Sequence, residues 1–366
     1  MRGEIMHDKK IFSTNNFNLI RLFAALQVVF YHTSYHLNIQ YTVGGIYSFV
    51  NSMPGVPIFF FISGYLISKS YEKNSVINEY AINRLLRIYP ALLICVLLSV
   101  FSVYAIGYMD SINESSIDMV IWVLSQISIF QFYNPDFMRD YGSGVLNGSL
   151  WTITVELQFY IVVPVLYFFL NKLKSFNINM ILVVIMCFFI VLNRIYFIFY
   201  DDYKDFLLFK IIGVSFLPWF YMFLTGVLFQ RNFKVIYDYL SGKFIYVGLF
   251  YLVYALLVGD LFEASFGNSI NPLVFFPLSI LVFSAAYTSS NLSNIVLKSN
   301  DVSYGVYIYH MPIVNGFMYL GLTQDIQVGF SVILLTLLCA FLSWKIIEYP
   351  SLQLKKHPLN PFLSKN

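Results

Sequence analysis

Apolar residues dominate the chain in long runs that are separated by short polar stretches. Ten of these runs, each of about 17 to 25 residues, are long enough to cross the ~30 Å hydrocarbon layer of a membrane as α-helices. They lie at roughly 17–38, 50–69, 88–109, 150–171, 177–199, 206–230, 243–259, 270–288, 302–321 and 327–347. The pattern therefore predicts an all-α polytopic membrane protein with about ten transmembrane helices.

An eleventh apolar stretch, residues 119–133, is shorter, and the distribution of charge decides its interpretation. If this stretch does not cross, 17 of the 22 Lys and Arg residues fall on one side of the membrane. Cytoplasmic loops carry an excess of Lys and Arg, so we expect this side and both termini to be cytoplasmic. The stretch 119–133 then lies on the outer surface or re-enters the membrane, within a long outer loop at 110–149. If it crossed, Lys172 and Lys174 would move outside.

The composition agrees with a membrane protein. Hydrophobic residues make up 58% of the chain and charged residues 11%, whereas ordinary soluble domains carry about 25% charged residues. The net charge of +3 is too small to indicate a nucleic-acid partner. No Pro/Gly-rich linker divides the sequence, so we expect one transmembrane domain over residues 1–350 and a short basic cytoplasmic tail over 351–366.

The first apolar run carries an arginine and a histidine, Arg21 and His32, eleven residues apart. Eleven residues make close to three helical turns, so both side chains lie on one helix face, roughly 16 Å apart along the axis. Such side chains are costly in hydrocarbon and usually face a protein interior or a polar cavity. Both residues are therefore functional candidates, although Arg21 could also be an anchor that snorkels to the headgroups.

A carboxylate is predicted at the same depth as His32. His32 lies roughly 9 Å below the outer end of the first helix, and Glu156 lies about as far below the outer start of the fourth. A carboxylate beside an imidazole fixes its tautomer and supports its action as a general base. We expect His32 and Glu156 to form a catalytic pair, unless each merely bonds a neighbouring helix. His36, one turn further out on the same face, is an alternative base.

Further polar residues occur in other predicted helices. Arg84 and Arg87 share a helix face at a cytoplasmic membrane entry and suit an anionic ligand, although an ordinary positive-inside cluster has the same pattern. Ser63 precedes Gly64 in the second helix, where small residues permit close helix packing. The ninth helix carries a polar stripe of Ser303, Tyr304, Tyr307 and His310.

Six sequence blocks span residues 18 to 350. They are NLIRLFAALQVVFYH (18–32), FFFISGYLIS (59–68), NRLLRIYP (83–90), SLWTITVELQFYIVVP (149–164), SYGVYIYHMPI (303–313) and IIEYP (346–350). In this order and spacing they resemble the membrane acyltransferase type 3 family. That family includes bacterial O-acetyltransferases that modify O-antigens, other surface polysaccharides, peptidoglycan and lipid-linked sugars.

The resemblance implies a multi-pass enzyme of the bacterial cytoplasmic (inner) membrane. Such an enzyme moves an acyl group, usually acetyl, from cytoplasmic acyl-CoA to a sugar hydroxyl of a surface glycan such as the O-antigen of lipopolysaccharide. The partners are then acyl-CoA as donor substrate, a glycan or lipid-linked sugar as acceptor, and the lipid bilayer. No bound cofactor, metal or nucleic acid is expected, and no oligomeric state is predicted.

The resemblance also implies roles for individual residues. His32 is expected in catalysis, and Arg21, Arg84 and Arg87 in donor binding or in the integrity of the site. Apart from the resemblance, the polar residues of the predicted helices that we expect to hydrogen-bond a substrate are Ser63, Ser303, Tyr304 and His310.

Two functions of other classes remain open at this point. A transporter or flippase of glycans or lipid-linked sugars would also need intramembrane charges. It would more often show paired repeats and broken helices, which the sequence does not indicate. A purely structural membrane subunit would not need Arg21 and His32. Hydrolysis of acyl-CoA by the purified protein would indicate the enzyme, and movement of a substrate without covalent change would indicate the transporter.

The topology can be tested with reporter fusions. We expect fusions after residues 76, 173 and 236 to report the cytoplasm and fusions near 140 and 203 to report the outside, because this arrangement keeps most Lys and Arg residues inside. A fusion after residue 173 that reports the outside would mean that 119–133 spans the membrane.

Overall fold

The computed structural model describes residues 12–112, 115–173, 175–262, 267–298 and 300–354. Within these ranges the chain forms helices joined by turns, short 3₁₀ segments and one longer loop at 128–147, with no β-strand. The α-helices are α1 Phe17–His36, α2 Gln40–Val43, α3 Gly45–Asn51, α4 Gly55–Lys73, α5 Ile77–Ala105, α6 Ser116–Ile127, α7 Trp151–Lys172, α8 Ile178–Ile198, α9 Tyr200–Tyr203, α10 Leu207–Gly213, α11 Phe220–Arg231, α12 Phe233–Leu240, α13 Phe244–Phe262, α14 Pro272–Tyr287, α15 Leu292–Leu297, α16 Ser303–Tyr319, α17 Ile326–Ser343 and α18 Tyr349–Gln353. A π-helical turn, Trp344–Glu348, connects α17 to α18.

Several helices are long and apolar enough to cross a membrane. In the described ranges five meet this condition alone, and the bent pair α12 and α13, whose axes meet at 88°, would add a sixth. The five are Gly45–Lys73, Ile77–Ala105, Gly148–Lys172, Ile178–Ile198 and Ile326–Gln353. The all-α class is confirmed, whereas ten spans and the sides of the termini stay predictions. Most of the predicted tail, from residue 355 onward, lies outside the described residues.

The chain divides into two compact units, each built from segments that are distant in sequence. The first unit comprises the described residues of Met1–Val28, Ser48–Lys73 and Gln158–Asp301. The second comprises those of Val29–Tyr47, Asn74–Leu157 and Val302–Asn366. The single domain expected over residues 1–350 stays a prediction.

Glycines set the packing of α4 against α11 in the first unit. A Cβ atom on Gly64 would lie 1.9 Å from the carbonyl oxygen of Phe223, and one on Gly226 would lie 2.1 Å from that of Phe61. Real Cβ atoms do not approach backbone so closely, so the two helix backbones are in direct contact. The close helix packing expected at Ser63-Gly64 is therefore confirmed.

The sixth predicted span, 206–230, is wrong as a single helix. The chain forms α10 and α11 there, and residues 214–219 separate them. Pro218 has no N–H for the carbonyl of Val214, four residues earlier. Gln158 of α7 replaces the missing bonds: its Nε2 donates to the Val214 carbonyl at 3.0 Å, and its Oε1 accepts from the Phe216 N–H at 2.8 Å. The backbone groups at the break are thus hydrogen-bonded within the protein, which is necessary where no water is present.

A second proline creates a similar free carbonyl in α16 of the second unit. Pro312 lacks the N–H that would bond the carbonyl of Ile308. The side chain of Asn147 donates to that carbonyl at 2.8 Å, and the thiol of Cys95 does so at 3.3 Å. The segment before α7 is thereby tied to the middle of α16, the helix that carries His310.

The ambiguous stretch at 119–133 begins as a short helix, α6. Its 12 residues are about 18 Å long, which is too short to span the hydrocarbon layer. Trp122 on one face is fully buried in a cluster with Tyr108, Met138 and Tyr141, whereas Ile117 on another face is 70% exposed. A helix this short agrees with a stretch that does not cross, and its side of the membrane stays a prediction.

The glycine contact between α4 and α11 can be tested by adding a methyl group. We expect Gly64→Ala or Gly226→Ala to lower stability by about 1–3 kcal/mol or more, because the new Cβ meets backbone that cannot move aside. Thermal unfolding in detergent measures the effect. Gly248→Ala in α13 is the matched control, since its Cβ would meet only Leu281 Cδ1 at 3.7 Å. Equal melting temperatures for all three variants would contradict the contact.

Candidate active site

Two histidines meet in the second unit. Nδ1 of His32 on α1 lies 2.9 Å from Nε2 of His310 on α16. The ring planes are inclined by only 15°, and the ring centroids are 5.2 Å apart. Because the centroid separation exceeds the nitrogen separation by about two ring radii, the rings meet end to end and are not stacked. His310 is 0% exposed, whereas His32 is only partly buried.

The neighbouring helices hold His310 in place. Its Nδ1 lies 2.6 Å from the carbonyl oxygen of Tyr307, one turn earlier on α16. The Tyr307 hydroxyl in turn contacts Oγ1 of Thr152 at 2.6 Å and donates to the carbonyl of Ser149 at 3.2 Å. These bonds attach α16 to the start of α7 at the level of the histidine pair.

Aromatic side chains surround His32 on α1. The ring of Tyr31 lies 5.5 Å and that of His36 lies 5.8 Å from the His32 ring, measured between centroids. Tyr31 also stacks on Tyr47 at 5.6 Å with an interplanar angle of 19°. His36 is therefore a neighbour of His32, as the sequence spacing predicts, and no hydrogen bond between the two rings is described.

Glu156 is partly buried on α7. It interacts electrostatically with the hydroxyls of Tyr304 and Tyr307. The hydrogen bond described for His32 goes to His310, and the catalytic pairing of His32 with Glu156 stays a prediction. Sequence reasoning missed the histidine contact because residue spacing along one helix does not show which side chains of a distant helix it meets.

The polar stripe of α16 is buried, as expected for residues that face the protein interior. Ser303 is 0% and Tyr304 7% exposed, and the Tyr304 hydroxyl donates to the carbonyl of Ile88 on α5 at 3.1 Å. Ser63 lies on α4 in the first unit. The substrate-binding roles of these residues and of His310 stay predictions.

Arg21 forms an ion pair in the first unit. Its Nη1 lies 2.9 Å from Oδ2 of Asp301, and the two side chains are 21% and 9% exposed. Arg21 was predicted as a functional residue, but Asp301 was not. The only sequence feature that marks Asp301 is its place directly before the ninth apolar run. The carboxylate of Asp301 thus balances the charge of Arg21. The role of Arg21 in donor binding stays a prediction.

The other two predicted donor-binding arginines lie on α5 in the second unit. The guanidinium of Arg84 lies over the ring of Tyr80, 5.5 Å from its centroid. Arg87 interacts electrostatically with Tyr304 of the polar stripe. Both arginines therefore have protein contacts, and their role towards a donor stays a prediction.

The histidine pair has the geometry of a general base. His310 bonds one nitrogen of His32. The other nitrogen of His32, whose ring is only partly buried, can act on a reacting hydroxyl. Among the described residues no group of three or more His, Cys, Asp or Glu side chains could hold a metal ion.

Comparison with known families decides the class of protein. The acyltransferase 3 family, described as "Acyltransferase domain", matches residues 14–345. The chain belongs to this family. The sequence-based prediction of an acyltransferase is thereby confirmed, and together with its apolar helices the family indicates a multi-pass membrane protein.

Several curated relatives match most of the chain. Nodulation protein 10 of Rhizobium leguminosarum bv. viciae is 29% identical over 353 residues, which cover 93% of this chain and 94% of that protein. The O-acetyl transferase of Shigella phage Sf6 is 28% identical, with 92% and 95% covered. O-acetyltransferase OatA of Staphylococcus aureus (strain NCTC 8325 / PS 47) is 27% identical over 90% of this chain but only 56% of its own length. No solved structure matches the chain.

The Arg21–Asp301 ion pair can be tested by a double-mutant cycle. We expect Arg21→Gln and Asp301→Asn to couple by about 0.5–3 kcal/mol in thermal unfolding, because each single change removes one member of a largely buried ion pair. The matched control is the exposed pair Lys204–Asp201, for which we expect less than about 1 kcal/mol. Additive effects of the Arg21 and Asp301 changes would show that the pair does not stabilise the first unit.

Proposed function

We propose that the protein is an O-acetyltransferase that moves an acetyl group from acetyl-CoA to a sugar hydroxyl of a surface glycan. The observation that carries the proposal is the partly buried His32, held through one ring nitrogen by His310. The names of two relatives, an O-acetyl transferase and an O-acetyltransferase, support the choice of acetyl and of an oxygen acceptor.

In the proposed reaction, His32 is the catalytic base. It takes the proton of the acceptor hydroxyl as the oxygen attacks the acetyl carbonyl carbon. A C–O bond forms and the C–S bond of the thioester breaks. The proton passes from His32 to the departing CoA thiolate, so the products are an acetylated sugar and free CoA, and His32 is ready for another cycle.

Arg84 and Arg87 are proposed to bind the phosphates of the donor. Guanidinium groups form forked hydrogen bonds with phosphate oxygens, and the charge distribution predicts that both residues lie at the cytoplasmic edge, where CoA is available. Arg21, whose guanidinium pairs with Asp301, is proposed to assist in donor binding.

The acceptor is proposed to be a glycan or lipid-linked sugar at the outer face of a bacterial inner membrane, such as an O-antigen unit of lipopolysaccharide. CoA is polyanionic and does not cross a bilayer, and a glycan assembled outside does not enter the cytoplasm. Glu156 is proposed to assist the base from α7, and Ser63, Ser303 and Tyr304 to hydrogen-bond the substrates. Mass spectrometry of surface glycans from cells with and without the protein tests the acceptor class.

The chemical step is tested by removing the base. We expect His32→Ala to lower glycan O-acetylation by about 10²–10⁴-fold, the usual loss of a general base, while the protein still inserts in the membrane. The measurement is the O-acetyl content of surface glycans at matched protein levels. A loss of only a few fold would contradict the assignment.

Two further variants act as controls for the choice of base. Glu156→Gln keeps the shape of the side chain and removes its charge, so we expect a smaller loss than for His32→Ala. We expect His36→Ala to be mild. An inactive His36→Ala together with an active His32→Ala would move the base outward by one helical turn.

A further inference from the structure

We propose that His310 is a positioning residue, which holds the proton of His32 on Nδ1 and so leaves the lone pair of His32 on Nε2 for the acceptor hydroxyl. The inference depends on the proposed function in one respect, that His32 is the base. It assigns His310 a role different from the substrate contact expected for it from the sequence.

The carbonyl of Tyr307 determines where the proton of His310 lies. A carbonyl oxygen only accepts hydrogen bonds, so the 2.6 Å contact requires a proton on Nδ1 of His310. His310 is completely buried, and its described partners are the backbone of Tyr307 and Val306 and a second imidazole, none of which carries negative charge. A buried cation without a counter-charge is costly, so the neutral ring is favoured. A neutral imidazole has one ring proton, and Nε2 of His310 is therefore an acceptor.

The tautomer of His32 follows from the next contact. Nε2 of His310 accepts, so the 2.9 Å bond requires a proton on Nδ1 of His32. The end-to-end, nearly coplanar arrangement aligns this N–H with the lone pair of the acceptor. Neutral His32 then has no proton on Nε2. The carbonyl of Tyr307 thus determines, through two rings, which nitrogen of His32 is the base.

The hydrogen bond between His32 and His310 also stabilises the positive charge that forms on His32 during the reaction. When Nε2 of His32 takes the proton of the acceptor hydroxyl, His32 becomes an imidazolium, and its Nδ1–H bond to His310 becomes charge-assisted and stronger. The proton on Nε2 of His32 later passes to the CoA thiolate, and His310 keeps its single proton on Nδ1 throughout. Because protein groups engage both nitrogens of His310, it acts through His32 and does not contact the substrate.

The tautomer can be measured without any substrate. The chain has five histidines, so nitrogen NMR of protein labelled with nitrogen-15 histidine gives few signals, and His32→Gln identifies those of His32. We expect His32 to be protonated at Nδ1 and unprotonated at Nε2. In His310→Leu the Nδ1-protonated signal should fall. A native His32 protonated at Nε2, or a signal that His310→Leu does not change, would overturn the proposal.

Two amide variants separate positioning from packing. A Gln side chain at 310 brings an amide oxygen to the place of Nε2, where it can accept from His32. Asn reaches only the place of Nδ1, and so can bond the Tyr307 carbonyl but not His32. With acetyl-CoA as probe and thiol release as readout, we expect His310→Gln to stay within about tenfold of the parent. We expect His310→Asn to lose about 10²–10⁴-fold in kcat with little change in KM. Equal losses for both variants at equal melting temperatures would overturn the role.

The two arms distinguish failure of this inference from failure of the proposed function. A purified parent protein that releases no thiol and acetylates no glycan contradicts the proposed function, and the NMR result still decides the tautomer. An active parent whose His32 has the other tautomer contradicts only the positioning by His310.

Discussion

Backbone carbonyls and N–H groups cannot stay unpaired in hydrocarbon, and this constraint explains the contacts on which both units depend. Two prolines free carbonyl oxygens, those of Val214 and Ile308, and side-chain amides of Gln158 and Asn147 bond them. Each of these hydrogen bonds joins two segments that are distant in sequence. The second bond attaches the segment before α7 to α16, so the helix that carries His310 is held at its middle. The same irregularity that costs a helical bond therefore positions the candidate site.

Buried charge and buried imidazole follow a related rule. A polar side chain in a low-dielectric interior needs a partner, and the partner determines what it can do. Arg21 has Asp301, which balances its charge. His32 has His310, which leaves it neutral and orders its protons. The first contact suits a stable anchor, whereas the second suits a group that exchanges a proton.

Much of the fold was predictable from local pattern. Apolar runs of about 17 residues or more predicted helices close to the observed α1, α7, α8 and α17, because helix length follows from hydrophobic length. The run at 88–109 missed the polar first part of α5, which begins at Ile77. Ser63-Gly64 predicted a close helix contact, since only a missing side chain permits one. The run at 206–230 was predicted wrongly because a hydropathy average does not register the single residue Pro218. The break at this proline is stabilised by Gln158, which lies 60 residues away in sequence.

The sequence by itself determined the helical class and the acyltransferase family, and it made Arg21 and His32 functional candidates, since each of these rests on local residue types or on ordered motifs. Only the tertiary structure decided what those residues touch. Asp301 and His310 lie 280 and 278 residues from their partners. Depth along a straight helix placed Glu156 level with His32, but the rotation and tilt of each helix decide which side chains meet. Those angles arise from packing between helices, which no single segment of the chain encodes.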